Sequence, residues 1–201
     1  MWTNRGMRGD GRAGCRGAFC GIARGTGILL VGIVAAAGGC GTPAAPAAAV
    51  RLDLVDHDGL LEAVARQRGR VVVLDCWSTS CPPCVKEFPR LVALEAKYRG
   101  RVACLSLAFD FEGLGSVAEA ARRVEEFLRT VNAGRIVNLL SKEEADVMYR
   151  KLELDSVPAV YVWRADGSRA RRFDASDSAA RLGRPFTYED VELEVRALLE
   201  P

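Results

Sequence analysis

The chain has 201 residues, of which 49% are hydrophobic, 27% charged and 7% aromatic. This composition excludes a disordered chain, a fibre and a multi-span membrane protein, and it allows one ordinary domain with some attached sequence. The net charge of +2 gives no electrostatic argument for nucleic-acid binding, which needs basic charge concentrated on one face. Seven cysteines are too few for a disulfide scaffold of this length, so their placement matters more than their number.

The first fifty residues are typical of an export signal. Residues 1–26 carry five Arg and one Asp, and an uncharged apolar run follows from Ile28 to Gly39. Such a run of about 12 residues spans roughly 18 Å as a helix, which is too short for a bilayer core of about 30 Å. A basic lead, a short apolar run and small residues after it predict a secretory signal peptide over residues 1–39.

The end of this signal, Ala37-Gly38-Gly39-Cys40, resembles the lipobox of bacterial lipoprotein signal peptides. The resemblance implies that Cys40 is lipidated, becomes the first residue of the mature chain and anchors it to a membrane. Residues 40–50, rich in Pro and Ala, are then a tether to a domain over residues 51–201. A plain secretory signal or an uncleaved anchor is the alternative.

After the tether, helix and strand patterns alternate, and a hairpin and a helix follow. The predicted elements are, in chain order, helix 59–68, strand 71–74, helix 84–98, strand 102–109, helices 117–131 and 142–152, hairpin 157–173 and a helix from about 188 to 199. Asp56 or Asp58 caps the first helix, and Thr187 to Asp190 is an N-cap pattern for the last. This order predicts a mixed α/β sheet covered by helices on both faces.

A C-x-x-C motif follows the strand at 71–74 and opens the next helix. It places Cys81 at a helix N-terminus, where unpaired backbone N–H groups and the helix dipole favour a thiolate. The thiolate is the attacking species in disulfide exchange, and Cys84, one turn later, is close enough to form a disulfide with it. Pro82 and Pro83 suit the first helical turn, where an N–H group has no intrahelical partner. The motif predicts that Cys81 attacks and Cys84 resolves.

Two other interpretations of this motif are a zinc site and an inert structural disulfide. A tetrahedral zinc site needs four ligands, usually from two such pairs. The sequence has no second C-x-x-C motif, and its only histidine, His57, lies far upstream. We therefore expect no metal and no other cofactor. An inert structural disulfide usually closes a longer loop than this one.

From about residue 54 to residue 199 the chain resembles the thioredoxin-fold proteins, specifically the TlpA/ResA-type thiol–disulfide oxidoreductases. The matching features are Val71 to Asp75, Trp77, the Cys-Pro-Pro-Cys motif at 81–84, Pro89, Val157-Pro158 and Asp166-Gly167. The resemblance implies an α/β, thioredoxin-like fold with a mixed central sheet and helices on both faces. It also implies a TlpA/ResA-type helix–strand insertion between residues 112 and 138.

The resemblance also implies roles for single residues. Asp75 occupies the place of an acid that serves the resolving thiol, and Glu87 that of an acid of the redox site. If either is partly buried, its pKa is raised and it can accept the proton of Cys84. The alternatives are a solvated helix residue for Glu87 and a carboxylate bound by backbone N–H groups for Asp75. Pro158 matches a cis-proline that faces the disulfide.

The residues expected to contact substrate are Trp77, Pro82, Pro83, Val157 and Pro158. Plain core packing is the alternative for Trp77. Three positions depart from the family pattern, namely Cys76, Ser80 and Cys104. We expect Cys76 and Cys104 to be core thiols, since free Cys is among the most buried residue types. A second redox or structural pair is the alternative.

TlpA/ResA-type relatives generally act as reductants outside the cytoplasm, so the expected function is the reduction of protein disulfides in the cell envelope or periplasm. The expected partners are protein disulfides and a membrane thiol donor that recharges the pair, and the chain is expected to be a monomer. An oxidase or isomerase differs only in its redox potential. A peroxidase needs a P-x-x-x-T-x-x-C frame, where this chain has Leu74 and Ser78. A redox-inactive lipoprotein that retains the fold is the last alternative.

Overall fold

A computed structural model describes residues 48–200 of the chain. These residues form a six-stranded sheet with helices on both faces. The strands are β1 (Leu52–Val55), β2 (Val71–Trp77), β3 (Val102–Ala108), β4 (Val137–Ser141), β5 (Ala159–Trp163) and β6 (Arg169–Phe173). The helices are α1 (His57–Ala65), α2 (Pro82–Lys97), α3 (Val117–Thr130), α4 (Ala145–Leu152), α5 (Ala175–Leu182) and α6 (Tyr188–Leu199), with a 3₁₀ turn at Ala133–Arg135. The predicted signal peptide, Cys40 and most of the tether lie outside the described residues.

The strand order is β1-β4-β3-β2-β5-β6. The first four of these strands run parallel to one another. Strand β5 is antiparallel to β2, and β6 is antiparallel to β5, so β6 runs in the same direction as the first four strands. All seven residues of β2 are buried, as are all seven of β3, because helices cover both faces of the sheet centre. The predicted fold class is confirmed. Within residues 48–200, no helix combines the length and the apolar character that a membrane crossing requires.

Two hydrophobic layers enclose the sheet. The first lies against α2, α3 and α6 and takes Val71, Val73 and Trp77 from β2. The second lies against α1 and α4 and takes Val72, Leu74 and Cys76 from the same strand. This alternation follows from the period of two along a strand.

Several elements differ from the sequence-based expectations. Strands β1 and β4 and helix α5 were not predicted as elements, although β4 overlaps the end of the predicted insertion and follows its helix, α3. Helix α1 ends at Ala65, three residues early, and α4 begins at Ala145, three residues late. Helix α5 is only eight residues long. Its start is nevertheless marked in the sequence by the N-cap residue Asp174, whose carboxylate accepts a hydrogen bond from the N–H of Asp177 at 2.7 Å.

The thiols of Cys76 and Cys104 are both buried and free, as expected. Cys76 belongs to the layer of α1 and α4, whereas Cys104 belongs to the layer of α2, α3 and α6. The two side chains therefore leave the sheet on opposite faces and cannot meet. The alternative that they form a second pair is wrong.

We expect oxidation of the folded protein to form no Cys76–Cys104 disulfide, because the sheet separates the two sulfurs. Peptide mapping after a non-reducing digestion checks this. The Cys81–Cys84 peptide serves as the internal positive control. A peptide that links residues 76 and 104 would contradict the placement.

Candidate active site

Cys81 is the N-cap of α2, at the junction that the sequence predicted. A disulfide joins it to Cys84, and the two Cα atoms are 5.3 Å apart. The backbone N–H of Cys84 donates to the sulfur of Cys81 at 3.3 Å. Pro82 and Pro83 fill the first two helical positions and are exposed, so their contact with substrate stays a prediction. Cys81 is half-buried and Cys84 is buried, which gives the two sulfurs different access to a partner protein.

The loop between β2 and Cys81 is held by Asp110, which lies just beyond the end of β3. The backbone N–H of Thr79 donates to both carboxylate oxygens of Asp110, at 3.1 and 3.2 Å, and its hydroxyl also donates to this carboxylate. Burial raises the pKa of Asp110, and the hydrogen bonds from Thr79 oppose that rise. The sequence analysis missed Asp110. Its signal was its place after a buried strand, because parallel neighbouring strands end at the same edge of a sheet.

The Val157–Pro158 peptide bond is cis, as the resemblance implied. The carbonyl oxygen of Val157 lies 3.8 Å from the sulfur of Cys81. Val157 and Pro158 are half-buried and precede β5, the antiparallel neighbour of β2. The backbone of Val157 therefore stands directly beside the sulfur predicted to attack.

A cavity of about 580 Å³ lies on the Cys84 side of the pair. Its walls come from the first turns of α2, the segment 156–160, helix α5 and the segment 183–188. The titratable side chains that line it with Cys84 are those of Asp75, Glu87, Arg184 and Tyr188. Glu87 is half-buried and faces this cavity, so its predicted role at the redox site stays a prediction.

Asp75 lies on β2 and its side chain is 3% exposed. The hydroxyl of Tyr188 donates to its Oδ2 atom at 2.6 Å, and this is its one hydrogen-bond partner among residues 48–200. Burial raises the pKa of Asp75 to about 7, although the bond from Tyr188 works in the opposite direction. Burial also raises the pKa of Tyr188 well above its ordinary value, so the hydroxyl keeps its proton at neutral pH. The alternative that backbone N–H groups bind this carboxylate is wrong.

Trp77 does not contact substrate with its side chain, which is 0% exposed. Its ring packs on Phe88 and Phe127, with centroid distances of 4.7 and 4.9 Å. The expectation that Trp77 binds substrate is therefore corrected, because the last residue of β2 points into the core layer under α2 and α3. Trp77 is a packing residue in the same hydrophobic layer as Cys84.

The sequence matches no family model and no curated protein. Several solved structures share its fold. A thiol-disulfide isomerase from Corynebacterium glutamicum is 16% identical with a TM-score of 0.54, over 78% of this chain and 98% of that one. A structure from Chlorobium tepidum, named as a thiol:disulfide interchange protein DsbE, is 19% identical with a TM-score of 0.51, over 68% of this chain and 85% of that one. The chain has a thioredoxin-like fold.

A third match, a thioredoxin-like superfamily protein, is 17% identical with a TM-score of 0.54, over 69% of this chain and 85% of that one. At these identities the likeness concerns the fold. Within the thioredoxin-like fold of this chain, the disulfide lies at the first turn of α2, and the cis-proline segment lies beside it.

Replacing Asp75 with Asn tests the burial of this carboxyl group. Because its pKa is raised from 3.8 to about 7, the folded state holds a proton between these pH values that the unfolded state has lost. The free energy of unfolding therefore falls as the pH rises through this window, by up to about 4 kcal/mol. Asp75→Asn removes this fall, so the variant is more stable than the wild type at about pH 8 and similar to it at about pH 4.

Denaturant unfolding at both pH values measures the difference. Asp53→Asn, which removes an exposed carboxyl group on β1, controls for the loss of a negative charge. An equal pH dependence for the wild type and Asp75→Asn would contradict the raised pKa.

Proposed function

We propose that the chain is a thiol–disulfide oxidoreductase of the TlpA/ResA type that reduces protein disulfides through Cys81 and Cys84. One observation carries the proposal. Cys81 caps α2, is half-buried and lies 3.8 Å from the Val157 carbonyl, while its partner Cys84 is buried one turn below. A sulfur that a partner can reach, paired with one that it cannot, is the arrangement that attack and resolution require.

In the proposed reaction, the Cys81 thiolate attacks a substrate disulfide and forms a mixed disulfide, and one substrate sulfur leaves as a thiolate. Cys84 then loses its proton and attacks Cys81, which forms the Cys81–Cys84 bond and releases the second substrate sulfur. The substrate disulfide gains two electrons, and the enzyme dithiol loses them. The N-terminus of α2 favours the thiolate form of Cys81.

Asp75 is the proposed acceptor of the Cys84 proton. Both side chains line the same cavity, and a pKa of about 7 leaves Asp75 partly ionised at neutral pH. A base whose pKa is near the working pH is ionised in a useful fraction of the molecules and still binds a proton strongly enough to accept it. Glu87 faces the same cavity and is the second candidate acceptor.

The direction of the reaction rests on the family resemblance, whose members are generally reductants outside the cytoplasm. The solved structures of the same fold include an isomerase, so an oxidase or isomerase is the second candidate function. The reduction potential separates the two. A value near that of thioredoxin, about −270 mV, supports a reductant, and a value near about −120 mV supports an oxidant.

We also propose that the protein is exported and anchored by a lipid on Cys40, with a membrane thiol donor recharging the pair. The basic and apolar pattern of residues 1–39 and the sequence Ala37-Gly38-Gly39-Cys40 support this proposal. Protein disulfides are the proposed substrates, and the half-buried sulfur beside an exposed Pro82 gives them an access point.

Two serine variants test the exchange reaction. Cys81→Ser should abolish the reduction of a model disulfide such as insulin, because it removes the attacking sulfur. Cys84→Ser should stall the reaction with substrate bound to Cys81, because no sulfur remains to resolve the mixed disulfide. Non-reducing electrophoresis of the variant after incubation with oxidised substrate detects the adduct, which a reductant should release.

Cys76→Ala is the matched control, since this thiol lies on the opposite face of the sheet and should leave the exchange intact. If both serine variants behave like the wild type, the chain is a redox-inactive protein that retains the fold.

Replacing Cys40 tests the anchor. Expression of the full chain in a bacterial host with a labelled fatty acid should label the wild type, and Cys40→Ala should lose the label. Cys15→Ala removes another cysteine of the predicted signal peptide and should keep it. A label that persists in Cys40→Ala, or that never enters the wild type, would overturn the lipid anchor.

A further inference from the structure

Tyr188 begins α6 and reaches the redox site from the far end of the chain. Its side chain is 7% exposed, and its hydroxyl donates to the Asp75 carboxylate at 2.6 Å across 113 residues of sequence. It lines the same cavity as Asp75 and Cys84. The aromatic ring is therefore fixed in the core while its hydroxyl is directed at the proposed base.

The other polar groups around Asp75 do not replace this bond. Across the sheet, Ser106 on β3 is the register partner of Asp75, but its hydroxyl donates to Asn138 at 3.0 Å. On β5 the register partner is the apolar Val160. Burial raises the pKa of Cys104 on β3 and of Cys76 on β2, so both thiols are neutral at physiological pH.

The cation that lines the cavity is already paired. Arg184 donates from Nη1 and Nη2 to the two carboxylate oxygens of Asp190, at 2.8 and 2.7 Å. Glu87 and Cys84, on α2, are the remaining titratable groups that line the cavity with Asp75 and Tyr188. Neither supplies a positive charge. Among residues 48–200, a neutral hydroxyl is thus the one donor that holds this buried carboxylate.

The start of α6 holds that hydroxyl in place. The Asp190 carboxylate accepts a hydrogen bond from the backbone N–H of Thr187, as in a capping box. It also accepts a hydrogen bond from the Thr187 hydroxyl. The same carboxylate binds Arg184 in the bidentate arrangement given above, and such pairs add geometric specificity. Later in α6, the buried Val191 and Val195 pack into the hydrophobic layer that α6 shares with α2 and α3.

We propose that Tyr188 is the positioning residue that keeps Asp75 ionised and directed for its exchange of a proton with Cys84. The inference rests on the proposed function. A hydrogen bond donated to a carboxylate favours its charged form and opposes the effect of burial. When Cys84 attacks the mixed disulfide, its proton passes to Asp75, the Cys81–Cys84 bond forms, and the substrate sulfur leaves with the electron pair of the broken bond.

Tyr188→Phe tests the role of the hydroxyl while the ring stays in the core. Loss of the donor disfavours the ionised carboxyl group, so the acid limb of the pH–rate profile should move up by about one pH unit. At about pH 7 the single-turnover reduction of a model disulfide by the reduced protein should be about fivefold slower. The carboxyl carbon of Asp75, followed by NMR in the oxidised protein, should titrate at a correspondingly higher pH.

Tyr98→Phe is the matched control. Tyr98 also donates from its hydroxyl to a carboxylate, Glu192 of α6, at 2.9 Å, but it lies at the other end of α2. This variant should keep the wild-type profile. A double-mutant cycle adds a readout that general loosening of α6 would not produce: in an Asp75→Asn background, Tyr188→Phe should not shift the profile further.

Different results would overturn the proposed function and the role of Tyr188. A wild-type protein that exchanges no disulfide would overturn the proposed function. An active wild type whose pH profile and Asp75 titration are the same in Tyr188→Phe would overturn only the role of Tyr188. A shift of the profile that persists in the Asp75→Asn background would also overturn it, because the hydroxyl would then act through another group.

Discussion

The chemistry of this site depends on one contact, the backbone N–H of Cys84 that points at the sulfur of Cys81. The first residues of a helix carry N–H groups without partners, and they make its N-terminus a place for negative charge. Here Pro82 and Pro83 remove the first two of these donors, so Cys84 provides the first one that remains. In the proposed reaction, the same residue stabilises its partner as a thiolate and later attacks it. Both roles need the two residues to be one helical turn apart.

The position of this helix is set by the edge where β2 and β3 end. Asp75 lies two residues before the end of β2, and Asp110 lies two residues after the end of β3. Asp110 fixes the loop that leads to Cys81 through Thr79, and Asp75 is buried beneath α2. Two carboxyl groups from neighbouring strands therefore serve different purposes. One holds the backbone, and the other is placed where its proton affinity is high.

Local sequence was enough to predict the core of this arrangement. The continuous run at 71–74 indicated a strand buried on both faces, and the C-x-x-C spacing placed Cys81 at the start of a helix. The cis bond before Pro158 followed from the family resemblance, since spacing alone does not predict an isomer. Strands β1 and β4 were missed because each has only four or five residues, and their pairing with each other was not visible in either segment.

Tyr188 could not be predicted because its partner is 113 residues away and its own neighbourhood reads as a helix cap. Trp77 was expected to contact substrate beside the disulfide, with core packing as the alternative, and the period of the strand turns it into the core. For Tyr188 the sequence carries no local mark of its partner, whereas the period of two along β2 was a local mark for the burial of Trp77.

The origin of Tyr188 in the last helix has a consequence for transplanting this chemistry. Grafting the segment around the four-residue Cys-Pro-Pro-Cys motif into another scaffold would carry over both sulfurs and the strand acid, but it would leave behind the hydroxyl that the acid binds. The graft would contain the dithiol and the carboxyl group of Asp75, but this carboxyl group would lack its hydrogen-bond donor. An engineer who wants the original acidity must therefore move the carboxyl-terminal helix together with the motif.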